Sequence, residues 1–281
     1  MLNLRWMRRN LARWVPEPLK APFRARLFGY RAAPPSPGTI LRVGDDVVEA
    51  SFRGVALRVP RAAYDDLRYH IVDNADSVEE LAAVVREGRT GGVLLDVGAA
   101  RGLISAIFCL AGERNRAVAL EPSPVQVRDA RRLAEMNGIA GRMTVRPIAA
   151  GAAAAELRGA ADEMGLIDFS PAAGAETFPV EMVTLDAEVA RLNVLPHVVK
   201  IDVEGHELEV LRGARELLTH RKPMLLLELH LDLLERRGTP AREIVEMLQG
   251  FGYRFETPGR RPLSARAILG SPNAVLRLVA R

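Results

Sequence analysis

The sequence predicts an α/β fold: a mostly parallel seven-stranded sheet with helices on both faces and an antiparallel closing strand, preceded by a small β meander and a basic helix. Three observations predict it. From residue 93 onward, apolar runs of strand length alternate with helical periods, the signature of a parallel sheet covered by helices. The last two strand-like runs are joined through Pro258, Gly259 and Pro262 with no obvious crossover helix, so they are poor parallel neighbours and should close the sheet antiparallel. The chain has 281 residues, 48% of them apolar, which is enough to fill one large core.

The elements follow in order. Residues 1–37 form a basic segment that ends in a linker with Pro34, Pro35 and Pro37; residues 38–281 form the main domain, divided into 38–90 and a core of 91–281. In the first part, the runs 39–43, 47–52 and 55–59 are strand-like and separated by turn residues, which reads as a meander. Ser77 and Glu80 have capping-box spacing ahead of Leu81, Val84 and Val85, so a helix is expected up to about Gly88. In the core, strands are expected at 93–97, 117–120, 143–148, 198–203 and 224–229, with 253–256 and 274–279 as the closing pair. Helices fit 103–110, 124–136 (closed by Asn137-Gly138), 207–218 and 240–248. Residues 151–179 are rich in Ala and Gly without a strong period and suit part of a lid over an acceptor.

Composition narrows the function. Residues 1–31 hold eight basic side chains and one acid, Glu17; they carry +7 and leave −3 on the rest of a chain whose formal charge is +4. A mildly acidic body argues against a catalytic domain that tracks a nucleic-acid backbone. On a helix, Leu4, Met7, Leu11, Trp14 and Val15 share a face and Arg5, Arg9 and Arg13 lie elsewhere, which suits either docking on the domain or contact with an anionic membrane surface. No run has the apolar length of a signal peptide or a membrane span. The single cysteine, Cys109, lies in an apolar run and requires no oxidising compartment. These features predict a cytoplasmic protein, with peripheral contact at the inner membrane surface left open.

The strongest local signal is 94–102, Leu-Leu-Asp-Val-Gly-Ala-Ala-Arg-Gly: a buried strand, a glycine-bearing turn and a helix. Ligands of open α/β sheets bind at the carboxyl ends of the strands. Asp96, Gly98, Ala99 and Gly102 are therefore candidate cofactor residues, with Gly98 sparing room for a ligand and Gly102 for the passage into the helix. Ala100 stands where a dinucleotide fingerprint needs its second glycine. Glu121, followed by Pro122 at the tip of the second strand, would accept hydrogen bonds from both hydroxyls of a ribose. Ile148, at the end of the third strand, and Asp202 complete the expected cofactor contacts.

Strand side chains alternate, so Lys200, Asp202 and Glu204 point one way if 198–204 stays extended, and Glu228 and His230 share a side of the next strand. Lys200 and Asp202 could simply neutralise each other; alternatively, the five residues hold an acceptor hydroxyl. In that reading His230 is the first candidate for the general base and Glu204 the second.

The stretches Asp96-Val97-Gly98-Ala99, Glu121-Pro122-Ser123-Pro124, Val183-Thr184-Leu185-Asp186, Lys200-Ile201-Asp202-Val203-Glu204-Gly205-His206-Glu207 and Glu228-Leu229-His230 resemble, in family order, the FkbM methyltransferases. Ala100-Arg101 and Ser123 depart from the asparagines common there. The resemblance implies a Rossmann-like class I methyltransferase fold, S-adenosyl-L-methionine as cofactor, and O-methylation of a small-molecule or sugar acceptor, with macrolide or sugar hydroxyls as the usual targets. No metal is assigned, although Asp202, Glu204, Glu228 and His230 offer ligands that would suit Mg²⁺. Two rival readings stay open: a nicotinamide-dependent oxidoreductase on the same sheet, and a non-catalytic membrane-surface or partner-binding scaffold. RNA methylation is weakened by the acidic body.

Overall fold

The computed structural model describes residues 39–162, 167–169 and 174–281; the basic helix expected within 1–37 lies outside them. Three antiparallel strands, β1 (Ile40–Val43), β2 (Val47–Phe52) and β3 (Val55–Pro60), form the meander. Its inward positions Val48, Ala50, Phe52, Val55, Leu57 and Val59 are buried, as strict alternation requires. Short helical turns, including α1 (Tyr64–Arg68), lead to α2 (Ala75–Thr90).

The expected capping box is not the start of α2. Asn74 caps it instead, its side-chain oxygen accepting hydrogen bonds from the amides of Asp76 and Ser77 at 3.0 and 3.3 Å. Ser77 and Glu80 lie inside the helix on its buried face, and so are freed for other partners. Asn74→Ala should cost about 1 kcal/mol in thermal or urea denaturation.

The main sheet alternates with helices as expected: β4 (Val93–Val97), α3 (Leu103–Leu110), β5 (Arg116–Leu120), α4 (Pro124–Met136) and β6 (Met143–Arg146). After an excursion described below come β11 (Val198–Ile201), α6 (Glu207–Arg212), α7 (Arg215–His220), β12 (Met224–His230), α8 (Leu231–Arg236) and α9 (Ala241–Gly250). The closing strands are β13 (Phe255–Glu256), β14 (Pro262–Leu263) and β15 (Val275–Ala280), with α10 (Ala265–Leu269) before the last. The sheet order is β14-β13-β15-β12-β11-β4-β5-β6. Strands β6, β5, β4, β11 and β12 are parallel, and β15 is antiparallel to β12 and β13. The seven expected strands are thus present, and the two-residue β14 adds an eighth at the edge. The order reverses between β4 and β11, the position at which open α/β sheets bind ligands.

The third expected strand is shorter than 143–148. Pro147 has no amide proton to continue the ladder, and Ile148 begins a separate strand, β7 (Ile148–Ala150), parallel to β10 (Phe178–Val183). With β8 (Ala155–Ala161) and β9 (Ile167–Asp168) these make a second sheet ordered β7-β10-β8-β9. Much of the stretch expected as a lid is therefore a β ribbon, whose alanines give a weak period in the sequence. Helix 207–218 is also interrupted: a Cβ on Gly213 would collide with the Gly151 carbonyl oxygen, and Asp186 caps α7 through the amides of Glu216 and Leu217 at 3.0 and 2.9 Å. Asp186 begins α5 (Leu185–Leu192) at its second residue.

Two cores flank the sheet, one with α2, α3, α4 and the meander, the other with α6, α7 and α9. Asn137 ties the meander to the first of these: its side chain accepts from the Arg58 amide and donates to the Arg58 carbonyl, both at 2.8 Å. Among the described residues no helix is long and apolar enough to cross a membrane.

Candidate active site

The turn after β4 is held open by backbone conformation. Gly98, Ala100 and Gly102 all have positive φ (76°, 48° and 78°); for Ala100 this carries a steric cost of roughly 1–2 kcal/mol. Gly98 is required by the protein itself, because a Cβ there would strike the carbonyl oxygen of Asp202 at the end of β11. A Cβ on Gly102 would strike Met143, so this glycine serves helix-to-sheet packing. Asp96, expected to touch the cofactor, is enclosed: its carboxylate accepts a 2.6 Å hydrogen bond from Ser105 and braces the loop from behind. Burial pushes its carboxyl up to about 6, against that bond and nearby Lys200. Ala99 is buried in the loop.

Glu121 sits at the tip of β5, as its place in the sequence requires. One carboxylate oxygen accepts from the Ala100 amide at 2.9 Å, the other from the Ser123 amide at 2.8 Å. The residue thus links the β4 turn to the start of α4, and Pro122 lies half-buried beside it. Burial pushes Glu121 up to about 7, opposed by the two amides. Ile148 does not end the third main strand as expected: it is 1% exposed, packs in the core with α6, α7 and α9, and begins β7 of the second sheet.

At the ends of β11 and β12, the ladder register puts Asp96, Lys200 and Glu228 on one face, with Arg277 of β15 opposite Glu228. Lys200 Nζ lies 3.3 Å from Asp202, 3.6 Å from Glu80 and 3.7 Å from Glu228. Arg277 reaches Glu80 at 3.2 Å and Glu228 at 2.6 Å. The mutual neutralisation of Lys200 and Asp202 is real, and it is embedded in a larger network. Burial would lower the Lys200 ammonium, but Asp202, Glu80 and Glu228 raise it well above the ordinary lysine value. Burial would raise Asp202, yet Lys200 and then His230 hold it down to about 2. Glu228 is pushed by burial up to about 7 in spite of Arg277.

The strand ends at Ile201, so 198–204 is not continuously extended. Glu204 takes a left-handed conformation (φ 52°) and Gly205 follows it (φ 91°), which turns the chain sharply. Glu204 nevertheless reaches the cluster: its carboxylate is 3.6 Å from His230 Nε2, with Asp202 at 3.8 Å and Glu228 at 4.0 Å. On the other side of the ring, Nδ1 and Glu207 Oε1 are 2.9 Å apart, and the same oxygen accepts from the Gly205 amide at 2.9 Å. Burial would lower His230, but the Glu207 bond and the three carboxylates push it up to about 10. In the free protein these contacts favour the imidazolium, which donates at Nε2 and has no lone pair there.

Asp202, Glu228 and His230 offer ligand atoms within 4.8 Å of one another. The carboxylates already have Lys200 and Arg277 as cationic partners at 3.3 and 2.6 Å, so Mg²⁺ would compete with groups built into the core. Sequence reasoning missed Glu80, Glu207 and Arg277. Glu80 and Arg277 carried a signal: each is a charge at an inward position of an otherwise apolar period.

The residues fit the cofactor implied by the family resemblance. Each Glu121 oxygen spends one acceptor position on an amide and keeps another, and the glycine turn and the Asp202 carboxylate lie on either side of the switch point. Comparison with known proteins agrees. Residues 96–255, more than half of the chain, match the model of the methyltransferase FkbM domain. No curated protein matches the sequence. Among solved structures, a methyltransferase FkbM from Methylobacillus flagellatus KT is 17% identical, with a TM-score of 0.44; the match covers 78% of this chain and 58% of that one. A precorrin-6y C5,15-methyltransferase from Geobacter metallireducens GS-15 is 18% identical, with a TM-score of 0.40, over 72% of this chain and 86% of that one. A SAM-dependent methyltransferase from Agrobacterium tumefaciens is 9% identical, with a TM-score of 0.43, over 85% and 70%. The chain thus belongs to the FkbM family of S-adenosylmethionine-dependent methyltransferases and has their α/β class I fold.

Proposed function

We propose that the protein is an O-methyltransferase acting on a hydroxyl of a small-molecule or carbohydrate acceptor. The supporting observation is the group Asp202, Glu204, Glu228 and His230, which gathers hydrogen-bonding side chains at the ends of β11 and β12, beside the turn that would hold the cofactor. S-adenosylmethionine supplies an electrophilic methyl on a sulfonium. Glu121 binds the ribose hydroxyls, the backbone of 98–102 borders the cofactor, and Asp202 faces it across the switch point. The half-exposed carboxylates of Asp202 and Glu204 orient the acceptor, and the His230 imidazolium donates a hydrogen bond to an acceptor oxygen. Methyl transfer needs an in-line nucleophile above all, and holding two reactants in line is worth roughly 7–11 kcal/mol of barrier. Positioning is therefore the main work of these residues.

The acidic body of the chain disfavours nucleic acid as a partner, and the basic 1–31 stretch suits peripheral contact with an anionic membrane surface, in a protein that works in the cytoplasm. The test is calorimetric titration with S-adenosylhomocysteine and with NAD, followed by transfer of labelled methyl to a panel of sugars and glycolipids. Micromolar binding of S-adenosylhomocysteine and label in an ether-linked product are expected. Binding of NAD alone would overturn the reading, and label on nitrogen or carbon would correct the acceptor class.

A further inference from the structure

His230, Asp202 and Glu228 are committed to Glu207, Lys200 and Arg277, and Glu204, the second candidate base, lies half-exposed beside His230. A second imidazole stands nearby. His70, on the turn between α1 and α2, is half-buried, and its Nδ1 lies 2.7 Å from the hydroxyl of Ser77, itself fully buried in α2. Two chains of contacts locate the ring. Its Nε2 is 3.9 Å from Asp66, whose other oxygen is 3.7 Å from Arg101 of the cofactor turn. Ser77 is one helical turn from Glu80, which is 3.6 Å from Lys200, the partner of Asp202 at 3.3 Å. His70 thus stands between the turn after β4 and the end of β11, on the side from which the meander and α2 cover the site.

We propose that His70 is the catalytic base, taking the proton of the acceptor hydroxyl at Nε2 while Ser77 accepts the Nδ1 proton and fixes the tautomer. The inference rests on the O-methyl transfer proposed above. In the step, the acceptor oxygen bonds to the methyl carbon, the carbon–sulfur bond breaks with its electron pair passing to sulfur, and the hydroxyl proton passes to His70. Asp66 then lies beside the imidazolium that forms. The charged groups that act on His70 are Asp66 from α1 at 3.9 Å and, through space, Glu80 from α2, Asp202 from the end of β11 and Arg277 from β15, with the Tyr69 ring edge-on at 5.1 Å. Burial and Arg277 favour the neutral ring, against the pull of the three carboxylates, and the net displacement is downward. This is the protonation state a base needs, and the opposite of His230.

The test is imidazole NMR on the whole chain, with signals assigned through His70→Gln and His230→Gln and cofactor binding followed in parallel by calorimetry. His70 is expected as the neutral Nδ1–H tautomer at pH 7.5. A base beside the sulfonium would feel its charge, so S-adenosylmethionine should lower the titration midpoint by about half a unit or more relative to S-adenosylhomocysteine, whose sulfur is neutral. His70→Gln should change the S-adenosylhomocysteine Kd less than about threefold. An Nε2–H tautomer, a midpoint that does not distinguish the two bound ligands, or a tenfold loss of affinity in His70→Gln would each overturn the proposal. Failure of either ligand to bind the folded wild type would instead overturn the methyltransferase chemistry on which it rests.

Discussion

Lys200→Met is expected to destabilise the protein by roughly 3–5 kcal/mol, because it leaves buried carboxylates without a charge they were folded around. For a chain of this size that is a drop in Tm on the order of 10 °C in calorimetry. The size follows from burial as much as from charge: Lys200 is 3% exposed and Glu80 3%, so water cannot take the place of the ammonium. Arg277 remains, but it already serves Glu80 and Glu228 and does not reach Asp202 within 4 Å. The defect has a pH signature. Glu228 sits near 7 in the intact network, and loss of Lys200 moves it further up, so protonation at pH 6 relieves part of the repulsion. The loss of Tm should therefore be larger at pH 8 than at pH 6, and Lys200→Met combined with Glu228→Gln should recover part of it. A variant as stable as the wild type at pH 8 would show that the network is solvated.

Glu121→Ala is expected to weaken S-adenosylhomocysteine binding on the order of 10-fold or more, since a charge-assisted hydrogen bond is worth roughly 1.5–3 kcal/mol and the variant also frees the turn amide of Ala100. The sign of the pH dependence follows from the raised carboxyl, near 7 in the free protein. Ribose hydroxyls donate to the carboxylate, so binding favours the ionised form and lowers this value. Affinity should improve as pH rises from about 6 to 8, with a proton released on binding, and should level off above that. Glu121→Gln should lose the pH dependence together with most of the affinity. Calorimetry in two buffers of different ionisation enthalpy reads both effects, and a wild-type Kd independent of pH would remove Glu121 from the ribose.

Much of the framework was legible because it is local. The runs 103–110 and 124–136 coincide with α3 and α4, since helical period, Pro124 at the first turn and Ser123 as cap all act within a few residues. The same holds for the turn after β4, for Glu121 at a strand tip, and for the pairing of Lys200 with Asp202, because alternation puts residues two apart on one face. FkbM membership was legible for a similar reason: its motifs are continuous stretches that run from strand ends into turns.

What the tertiary structure decided depends on contacts between distant parts of the chain. Glu80 has the spacing of a capping residue, and only the packing of α2 onto the sheet makes it a partner of Lys200 and Arg277, the latter 197 positions away. The surroundings of His230 were hidden for the same reason. Its position at the end of β12 follows from the sequence, but Glu207, Glu204 and Asp202 converge on the ring through a left-handed turn that no local pattern announces, and together they keep its proton on. The second sheet was hidden because alanine gives little hydrophobic contrast, so the pairing of β8 and β10 supplied what periodicity could not. The sequence by itself determined the fold class, the family and the strand ends that carry chemistry. The tertiary structure decided which of those groups are charged, because protonation depends on burial and on partners brought together only by folding.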